Sequence, residues 1–238
     1  MSVLTEQQIH FGYFYGIGGF PSLVNQGEER ENYAVEIKDY KGQEQLCICC
    51  TQLDNYGYSE RDKKRILQEW VDFLRTSTKT FKALHFNSHV PQRLFDAVCC
   101  QEDLEELYIK WGNHKNLSSL GQLTNMKFLY FGSCPGVTDL TSITKLKNLV
   151  VLCMQNFKRI EDYSPIVVLD KLEQLIIQGP ILGKTPIQDL EFLKEMQGLL
   201  SVWLPNTTIR KKYTSDERAM LRTDIPSLHD IQGCIWGK

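Results

Sequence analysis

The segment LKNLVVLCMQNFKRIEDYSPI, residues 146–166, carries its large apolar side chains at an unusual spacing. Leu149, Leu152, Met154, Phe157 and Ile160 follow one another at steps of 3, 2, 3 and 3 residues. An amphipathic helix repeats about every 3.6 residues, and a half-buried strand repeats at every second residue. The segment as a whole therefore fits neither a single helix nor a single strand.

The same apolar pattern, L-x-x-L-x-L with other apolar residues allowed, recurs through about half of the chain. It starts at six positions: Phe81, Leu104, Met126, Leu149, Leu172 and Leu199. The steps between these starts are 23, 22, 23, 23 and 27 residues. One such coil cannot bury its apolar side alone, whereas stacked coils can. Near-constant steps of this size are therefore typical of a solenoid.

A second apolar pattern lies between the repeats, as in VTDLTSI at residues 137–143. It predicts a short helical or 3₁₀ segment on the outer side of each coil. Asp139, Asp162 and Asp189 recur at the start of these segments, where a carboxylate accepts hydrogen bonds from free backbone N–H groups. Each coil is therefore predicted to contain one strand, a turn and one short helical piece.

The repeats resemble those of leucine-rich repeat proteins, in particular the type of about 22 residues found in bacterial internalins and in a phosphatase regulator. The segments LTSITKLKNLVVLCMQNFKRIEDYSPI and LDKLEQLII carry the resemblance, which extends from about Phe81 to Leu204. It implies an α/β leucine-rich repeat solenoid with a curved parallel β-sheet on the concave face. Short helices or 3₁₀ segments would lie outside the sheet, and caps would cover both ends.

The chain departs from that family in its turns and at its start. Where the family usually carries asparagine, the coils have other residues: His89, Gly112, Cys134, Phe157, Pro180 and Thr207. We therefore expect irregular turns. Internalins are exported, but MSVLTEQQIH, residues 1–10, has neither the basic nor the apolar region of a signal peptide. We expect a cytoplasmic protein.

The ends of the chain predict caps, which a solenoid needs because its terminal coils expose apolar edges. Residues 32–39 and 44–51 alternate like strands and predict a hairpin, and residues 59–76 predict a helix with Ser59 as its N-cap. Further predicted elements are a helix at 91–101, a helix at 215–222 and a partial coil at 225–231. We divide the chain into an N-terminal cap (1–80), leucine-rich repeats (81–208) and a C-terminal cap (209–238).

The composition is that of an ordinary globular protein of 238 residues, 42% hydrophobic and 24% charged, with a formal net charge of −2. This charge gives no reason to expect nucleic acid or a membrane surface as a partner. Basic clusters at residues 61–65 and 210–212 lie beside acids, which favours a solvated face. We expect the eight cysteines to be reduced and mostly buried, because this chain is long enough to form a core without cross-links.

Three motifs contain residue types that could form a metal, phosphate or catalytic site. CICC, residues 47–50, lacks the paired C-x2-C spacing of zinc sites. FGYFYGIGGF, residues 11–20, lacks the Gly-Lys-Ser/Thr of a phosphate-binding loop and is predicted to pack on the first cap strand. His85 and His89 would share a face only in a helix. In the predicted strand His85 faces solvent and His89 enters the turn.

Because none of the three motifs has the spacing that such a site needs, we predict no bound metal, no cofactor and no catalytic residue. A cysteine–histidine nucleophile pair stays open, because such a pair is spatial rather than sequential. The less favoured hypothesis is therefore a cysteine-dependent enzyme or a metal protein.

The predicted concave face is unexpectedly apolar and aromatic. The most central column reads His85, Tyr108, Tyr130, Cys153, Ile176 and Trp203. Exposed apolar patches usually mark binding sites, and Tyr and Trp are frequent interface anchors. An alternative is that the caps fold across part of this face. The candidate partner-binding residues are His85, Tyr108, Lys110, Trp111, Phe128, Tyr130, Gln155, Gln178 and Trp203.

The function predicted from this face is a non-catalytic module that binds a folded protein partner. Within the family resemblance two roles are open. One is an immunity protein that neutralises a toxin enzyme, preferred slightly because the sequence shows no effector domain. The other is an intracellular scaffold or adaptor, as the resemblance to the phosphatase regulator implies.

Overall fold

A computed structural model describes residues 2–15, 32–224 and 230–235. Ten strands in these ranges form one sheet. They are β1 (Tyr33–Ala34), β2 (Gln45–Ile48), β3 (Ala83–His89), β4 (Glu106–Trp111), β5 (Phe128–Phe131), β6 (Val151–Gln155), β7 (Gln174–Gln178), β8 (Thr185–Ile187), β9 (Ser201–Ile209) and β10 (Asp230–Ile235). The strands lie in chain order, except that β8 pairs with the far end of β9 while β7 and β10 flank β9.

Helices and 3₁₀ segments connect the strands. The α-helices are α1 (Glu6–Phe11), α2 (Glu60–Thr76), α3 (Gln92–Val98) and α4 (Ser215–Thr223). The 3₁₀ segments are Tyr13–Tyr15, Ile37–Asp39, Asp54–Tyr56, Ser118–Gln122, Ile143–Lys145, Ser164–Val168 and Glu191–Glu195.

Every strand pair in the described sheet is parallel, and the six repeat strands share one register at the apolar positions of the repeat. The second apolar position of each repeat forms a single line across the sheet: Leu84, Leu107, Leu129, Leu152, Leu175 and Val202. All six side chains are completely buried in the main core. The predicted solenoid and its six strands are confirmed.

The aspartates that precede the outer segments act as predicted. The Oδ1 atom of Asp139 accepts from the Thr141 N–H at 2.7 Å, and Asp162 accepts from the Ser164 N–H at 2.8 Å. Asp189 accepts from the Glu191 N–H at 3.0 Å. The last two bonds satisfy the first free N–H of their 3₁₀ segments, whereas the Asp139 bond lies in the turn just before Ile143–Lys145.

The turns after the strands use other residues where the family usually carries asparagine. The thiol of Cys134 donates to the carbonyls of Gly112 and Gly132, both at 3.4 Å, and the Thr207 hydroxyl donates to the Leu204 carbonyl at 2.7 Å. The expected irregularity is present between β3 and β4, where the register shifts between Phe86 and His89.

The hairpin predicted for residues 32–39 and 44–51 is wrong. β1 and β2 are parallel, with Tyr33 opposite Cys47. After β1 the carboxylate of Asp39 accepts from the backbone N–H groups of Val35 and Glu36 and closes a 3₁₀ turn. This turn leads the chain away from the sheet, so that it returns in the same direction as one more coil.

The predicted helices are confirmed. In α2 the Ser59 hydroxyl accepts from the Asp62 N–H at 3.2 Å, and the indole of the buried Trp70 donates to the Val35 carbonyl at 2.8 Å. α3 lies inside the predicted range, and α4 begins at Ser215 with Thr214 as its N-cap. Residues 225–229 of the predicted last coil lie outside the described residues. The three-part division of the chain stays a prediction, since one sheet runs from β1 to β10.

A first prediction concerns the close approach of two coils at Gly132. A Cβ atom on Gly132 would lie 1.9 Å from the backbone carbonyl oxygen of Lys110. Backbone cannot move aside without disturbing the strand pairing. We expect Gly132→Ala to lower the free energy of unfolding by about 1–3 kcal/mol, measured by urea denaturation. Gly121→Ala is the control, because its nearest neighbour is the flexible end of the Lys145 side chain. Equal losses in both variants would contradict the argument.

A second prediction concerns pH and the buried carboxylate that joins the first coil to α2. Hydrogen bonds, foremost from Lys38 and then from Arg65, lower the pKa of Glu36 from 4.5 to about 2. A lowered folded-state pKa stabilises the fold above the unfolded-state value, and this contribution is lost as pH falls towards the folded-state value. We expect Glu36→Gln to be less stable than the unaltered protein near neutral pH, with the difference shrinking between about pH 5 and pH 2.

The control for this prediction is Glu60→Gln, at an ion-paired side chain that is 81% exposed. It should change the free energy of unfolding by less than about 1 kcal/mol. A Glu36→Gln difference that stays constant down to about pH 2 would contradict the prediction.

Candidate functional site on the concave face

The central column predicted for the concave face is assembled as expected. His85, Tyr108, Tyr130, Cys153, Ile176 and Trp203 are partners in successive strand pairs. Neighbouring residues of a strand point to opposite faces, so these side chains lie on the face opposite the leucine line. The sequence therefore predicted which residues share this face.

The prediction that this column is exposed is wrong for its central members. Tyr108 and Tyr130 are only 8% and 6% exposed. Residues 2–14, which we call the N-terminal strap, lie across them. Leu4 and Phe14 of the strap join Tyr108, Tyr130 and neighbouring residues in an apolar cluster separate from the main core. His85, predicted to face solvent, is 1% exposed.

The strap covers the concave face with two aromatic side chains. Tyr13 stacks on Phe128 with ring centroids 4.1 Å apart and planes within 2°. Phe14 lies 5.5 Å from Tyr130, which itself stacks on Tyr108 at 4.4 Å. The loop predicted to pack on the first cap strand instead packs on β4 and β5 through Tyr13 and Phe14. Residues 16–20 of it lie outside the described residues.

A buried carboxylate, Glu106, lies at the centre of the polar contacts. Its Oε1 atom is 2.6 Å from Nε2 of His85, and its Oε2 atom accepts from the Tyr13 hydroxyl at 2.6 Å. An ionised Glu106 can only accept, which places a proton on Nε2 of His85. Burial, and then the charge of Glu106, raises the pKa of Tyr13 and keeps its hydroxyl protonated.

Glu173, just before β7, and Gln174, the first residue of β7, hold the backbone of the strap. Glu173 accepts from the Val3 N–H at 2.9 Å and from the Leu4 N–H at 3.2 Å. The fully buried Gln174 accepts from the Tyr13 N–H at 2.7 Å and donates to the Gln8 carbonyl at 3.0 Å. The two ends of the strap are thus fixed by main-chain hydrogen bonds as well as by apolar contacts.

The remaining predicted site residues lie nearer the edges of the face. Lys110 is exposed, and five others are partly exposed: Trp111, Phe128, Gln155, Gln178 and Trp203. Trp111 packs against His89 at 4.5 Å, and the Tyr130 hydroxyl donates to Gln155 at 3.1 Å. We call Lys110, Trp111, Gln155 and Gln178, at the carboxyl ends of their strands, the carboxyl-edge row.

Sequence reasoning missed the residues that hold the strap. Glu106, Glu173 and Gln174 received no role, and neither did Leu4, Tyr13 and Phe14. Acidic Glu106 and polar Gln174 in an otherwise apolar face were the available signal, because such groups need a partner when buried.

Comparisons with known proteins concern the fold. No family model matches the chain, and no curated protein sequence matches it. Among solved structures, internalin C2 from Listeria monocytogenes aligns at 17% identity and a TM-score of 0.51, over 66% of this chain and 63% of that one. The chain has the leucine-rich repeat fold. It spans less than two thirds of the length of that internalin.

Two further structures align with the leucine-rich repeat sheet less closely. They are another Listeria monocytogenes internalin, internalin F, and a plant peptide hormone receptor, RGFR1 in complex with RGF2. Both are 17% identical, with TM-scores of 0.43 and 0.45. The first alignment covers 63% of this chain and 38% of that one, and the second covers 69% and 26%.

Three of the buried cysteines have the properties of core residues. Burial raises the pKa of Cys47, Cys50 and Cys134 to about 12. A nucleophilic thiol needs the opposite shift, towards the thiolate. In the part of the chain that the structure describes, no three His, Cys, Asp or Glu side chains converge as metal ligands would.

The two basic clusters form ion pairs with neighbouring acidic residues. Carboxylates pair with basic residues in both predicted basic clusters: Lys63 with Asp54, Arg65 with Glu36 and Glu69, and Arg210 with Glu161. Among the described helices, none has the length and hydropathy needed to cross a bilayer.

A third prediction concerns the partners of Glu106. Glu106→Ala leaves the His85 ring nitrogen and the Tyr13 hydroxyl buried without their acceptor. We expect the free energy of unfolding to fall by about 2 kcal/mol or more in urea denaturation. Glu105→Ala is the matched control, because Glu105 is 39% exposed and forms a surface ion pair with Lys127. This control should cost less than about 1 kcal/mol. Losses of the same size in both variants would refute a central role for Glu106.

Proposed function

We propose that this protein is a non-catalytic module that binds a folded protein partner on the concave side of its leucine-rich repeat sheet. One observation carries the proposal: the concave face already holds a polypeptide segment. It does so with stacked aromatic rings and with side chains that bond to the segment's backbone. The same chemistry serves recognition between proteins, where aromatic anchors contribute much of the binding energy and direct hydrogen bonds accompany them.

The accessible part of this side is the carboxyl-edge row. Trp111 and Lys110 place an amphipathic ring and a positive charge at the carboxyl end of β4, and Gln155 of β6 lies directly opposite Gln178 of β7. Such a mixed row of aromatic, charged and amide groups resembles the polar margin of an interface around an apolar centre. We place the first contact of the partner here.

The clefts between the loops of successive coils do not support small-molecule chemistry. Two of them, formed by described residues, measure about 240 and 170 Å³, the larger beside Asp139 and Arg159, whereas ligand pockets usually enclose about 300–1,000 Å³. That the protein is not an enzyme is part of this proposal, and a cytoplasmic location stays a prediction.

Within this function the narrower roles stay as predicted from the sequence. The preferred role is that of an immunity protein that neutralises a toxin enzyme, and the alternative is a scaffold or a phosphatase-regulating adaptor. The identity of the partner decides between them: a toxin domain whose activity falls on binding supports the first, and a phosphatase supports the second.

A fourth prediction tests the carboxyl-edge row. The partner is captured from the native host with the unaltered protein, purified, and then titrated against variants of confirmed folding. We expect the double variant Lys110→Ala/Trp111→Ala to weaken binding about tenfold to hundredfold, since a tryptophan anchor and a charge are removed together. The matched control Tyr56→Ala/Lys145→Ala removes an exposed aromatic ring and an exposed lysine outside the row. It should bind like the unaltered protein. A partner bound equally by both double variants would exclude this row.

A further inference from the structure

The N-terminal strap buries its side chains most deeply near its two ends, while its middle is held by the Gln174 amide, which donates to the Gln8 carbonyl, and by the partly buried Ile9. No residue of α1 is fully buried, and Phe11 on this helix is 43% exposed. The buried strap side chains are Leu4, before the helix, and Phe14, after it. A segment with so few fully buried side chains opens at low cost compared with the core.

The strap is also separate from the main core. Leu4 and Phe14 belong to the concave cluster, whereas the repeat leucines form their own continuous core on the other face of the sheet. Release of the strap would therefore uncover Tyr108, Tyr130 and Cys153 without removing any side chain from the main core.

The surface under the strap also contains polar groups that form hydrogen bonds. One carboxylate oxygen of Glu106 accepts from a hydroxyl group, and the other is hydrogen-bonded to His85. Gln174, which also donates to the Ser201 hydroxyl at 2.9 Å, offers its amide to a backbone N–H and a backbone carbonyl. Glu173 offers both oxygens to consecutive backbone N–H groups. These groups recognise a backbone followed by an aromatic pair, and the apolar cluster also takes one aliphatic side chain, Leu4.

We propose that the strap is displaceable and occupies, within its own chain, a site for an aromatic-containing peptide segment of the partner protein. This rests on the proposed function, a concave side that binds protein. The partner segment would present backbone N–H groups to Glu173 and two adjacent aromatic side chains to Phe128 and Tyr130. The strap then acts as an internal competitor that closes the site until this segment arrives.

The competition has a measurable size. A tethered segment is present at an effective concentration of about 1 mM, so a free peptide of equal intrinsic affinity binds far more weakly while the strap is seated. Weakening the strap alone removes this competitor and leaves the site unchanged. The affinity for an added peptide should then rise.

The experiment uses the full chain and a fluorescent synthetic peptide of residues 2–15 as the probe. Phe14→Asp in the full chain places a carboxylate in the apolar cluster and releases the strap. We expect this variant to bind the probe at least about tenfold more tightly than the unaltered chain. Phe11→Asp, three residues away on an exposed position, is the matched control and should bind the probe like the unaltered chain. A probe carrying Tyr13→Ala and Phe14→Ala should bind neither chain.

Release of the strap is measured independently at Cys153. This thiol is completely buried in the concave cluster, and Cys134 is completely buried in the main core. In Phe14→Asp we expect alkylation of Cys153, followed by mass spectrometry of its peptide, to accelerate at least about tenfold while Cys134 stays protected. Tyr13→Phe is the milder variant, because it keeps the stacked ring and removes only the hydroxyl donor to Glu106. It should shift both readouts in the same direction by a smaller factor.

Two outcomes would overturn the proposal. If Cys153 becomes reactive and the released chain still binds no probe, the strap is only a cover. If neither variant changes Cys153, the strap is a fixed part of the fold. In either case a partner that is still lost in Lys110→Ala/Trp111→Ala leaves the proposed function intact. Conversely, probe binding together with a partner that ignores the carboxyl-edge row would support the peptide site and refute the first-contact surface.

Discussion

The whole structure depends on parallel pairing of successive coils in one register. Each coil returns its strand beside the previous one, about 4.8 Å away, and so adds one residue to every line of side chains across the sheet. The buried leucine line exists because this register is maintained from β3 to β9. Where the coils come closest, only glycine fits: a Cβ on Gly179 would lie 1.8 Å from the Asn206 carbonyl, as at Gly132.

The same pairing creates a second requirement on the concave face. Parallel sheets are usually covered on both faces, because their strands are apolar on both. Val151, Cys153 and Ile176 follow this rule, and each is completely buried on the side away from the leucine line. The N-terminal strap supplies the second layer. The features that suit this face for a protein partner are therefore the features that make it need a cover in the partner's absence.

Local patterns in the sequence predicted the elements well and their surroundings poorly. The six repeat strands, the outer segments with their aspartates and the helices α2, α3 and α4 all follow from spacing over a few residues, whereas the strand predicted at residues 32–39 is only two residues long. The direction of β1 relative to β2 did not, because alternation shows which face of a strand is buried but not which neighbour it pairs with. His85 was expected in solvent for the same reason: its place in the strand was correct, while the strap above it was not encoded nearby.

The coils, their register and the residues of the concave column could be predicted from the sequence, because all three follow from apolar positions that recur about every 23 residues. What covers that column depends on tertiary contacts between residues far apart in the sequence. Tyr13 contacts Glu106, 93 positions away, and Val3 contacts Glu173, 170 positions away. The repeat pattern could not predict these contacts, because the strap is not a repeat. The side chains that hold it come close to one another only after the coils have stacked.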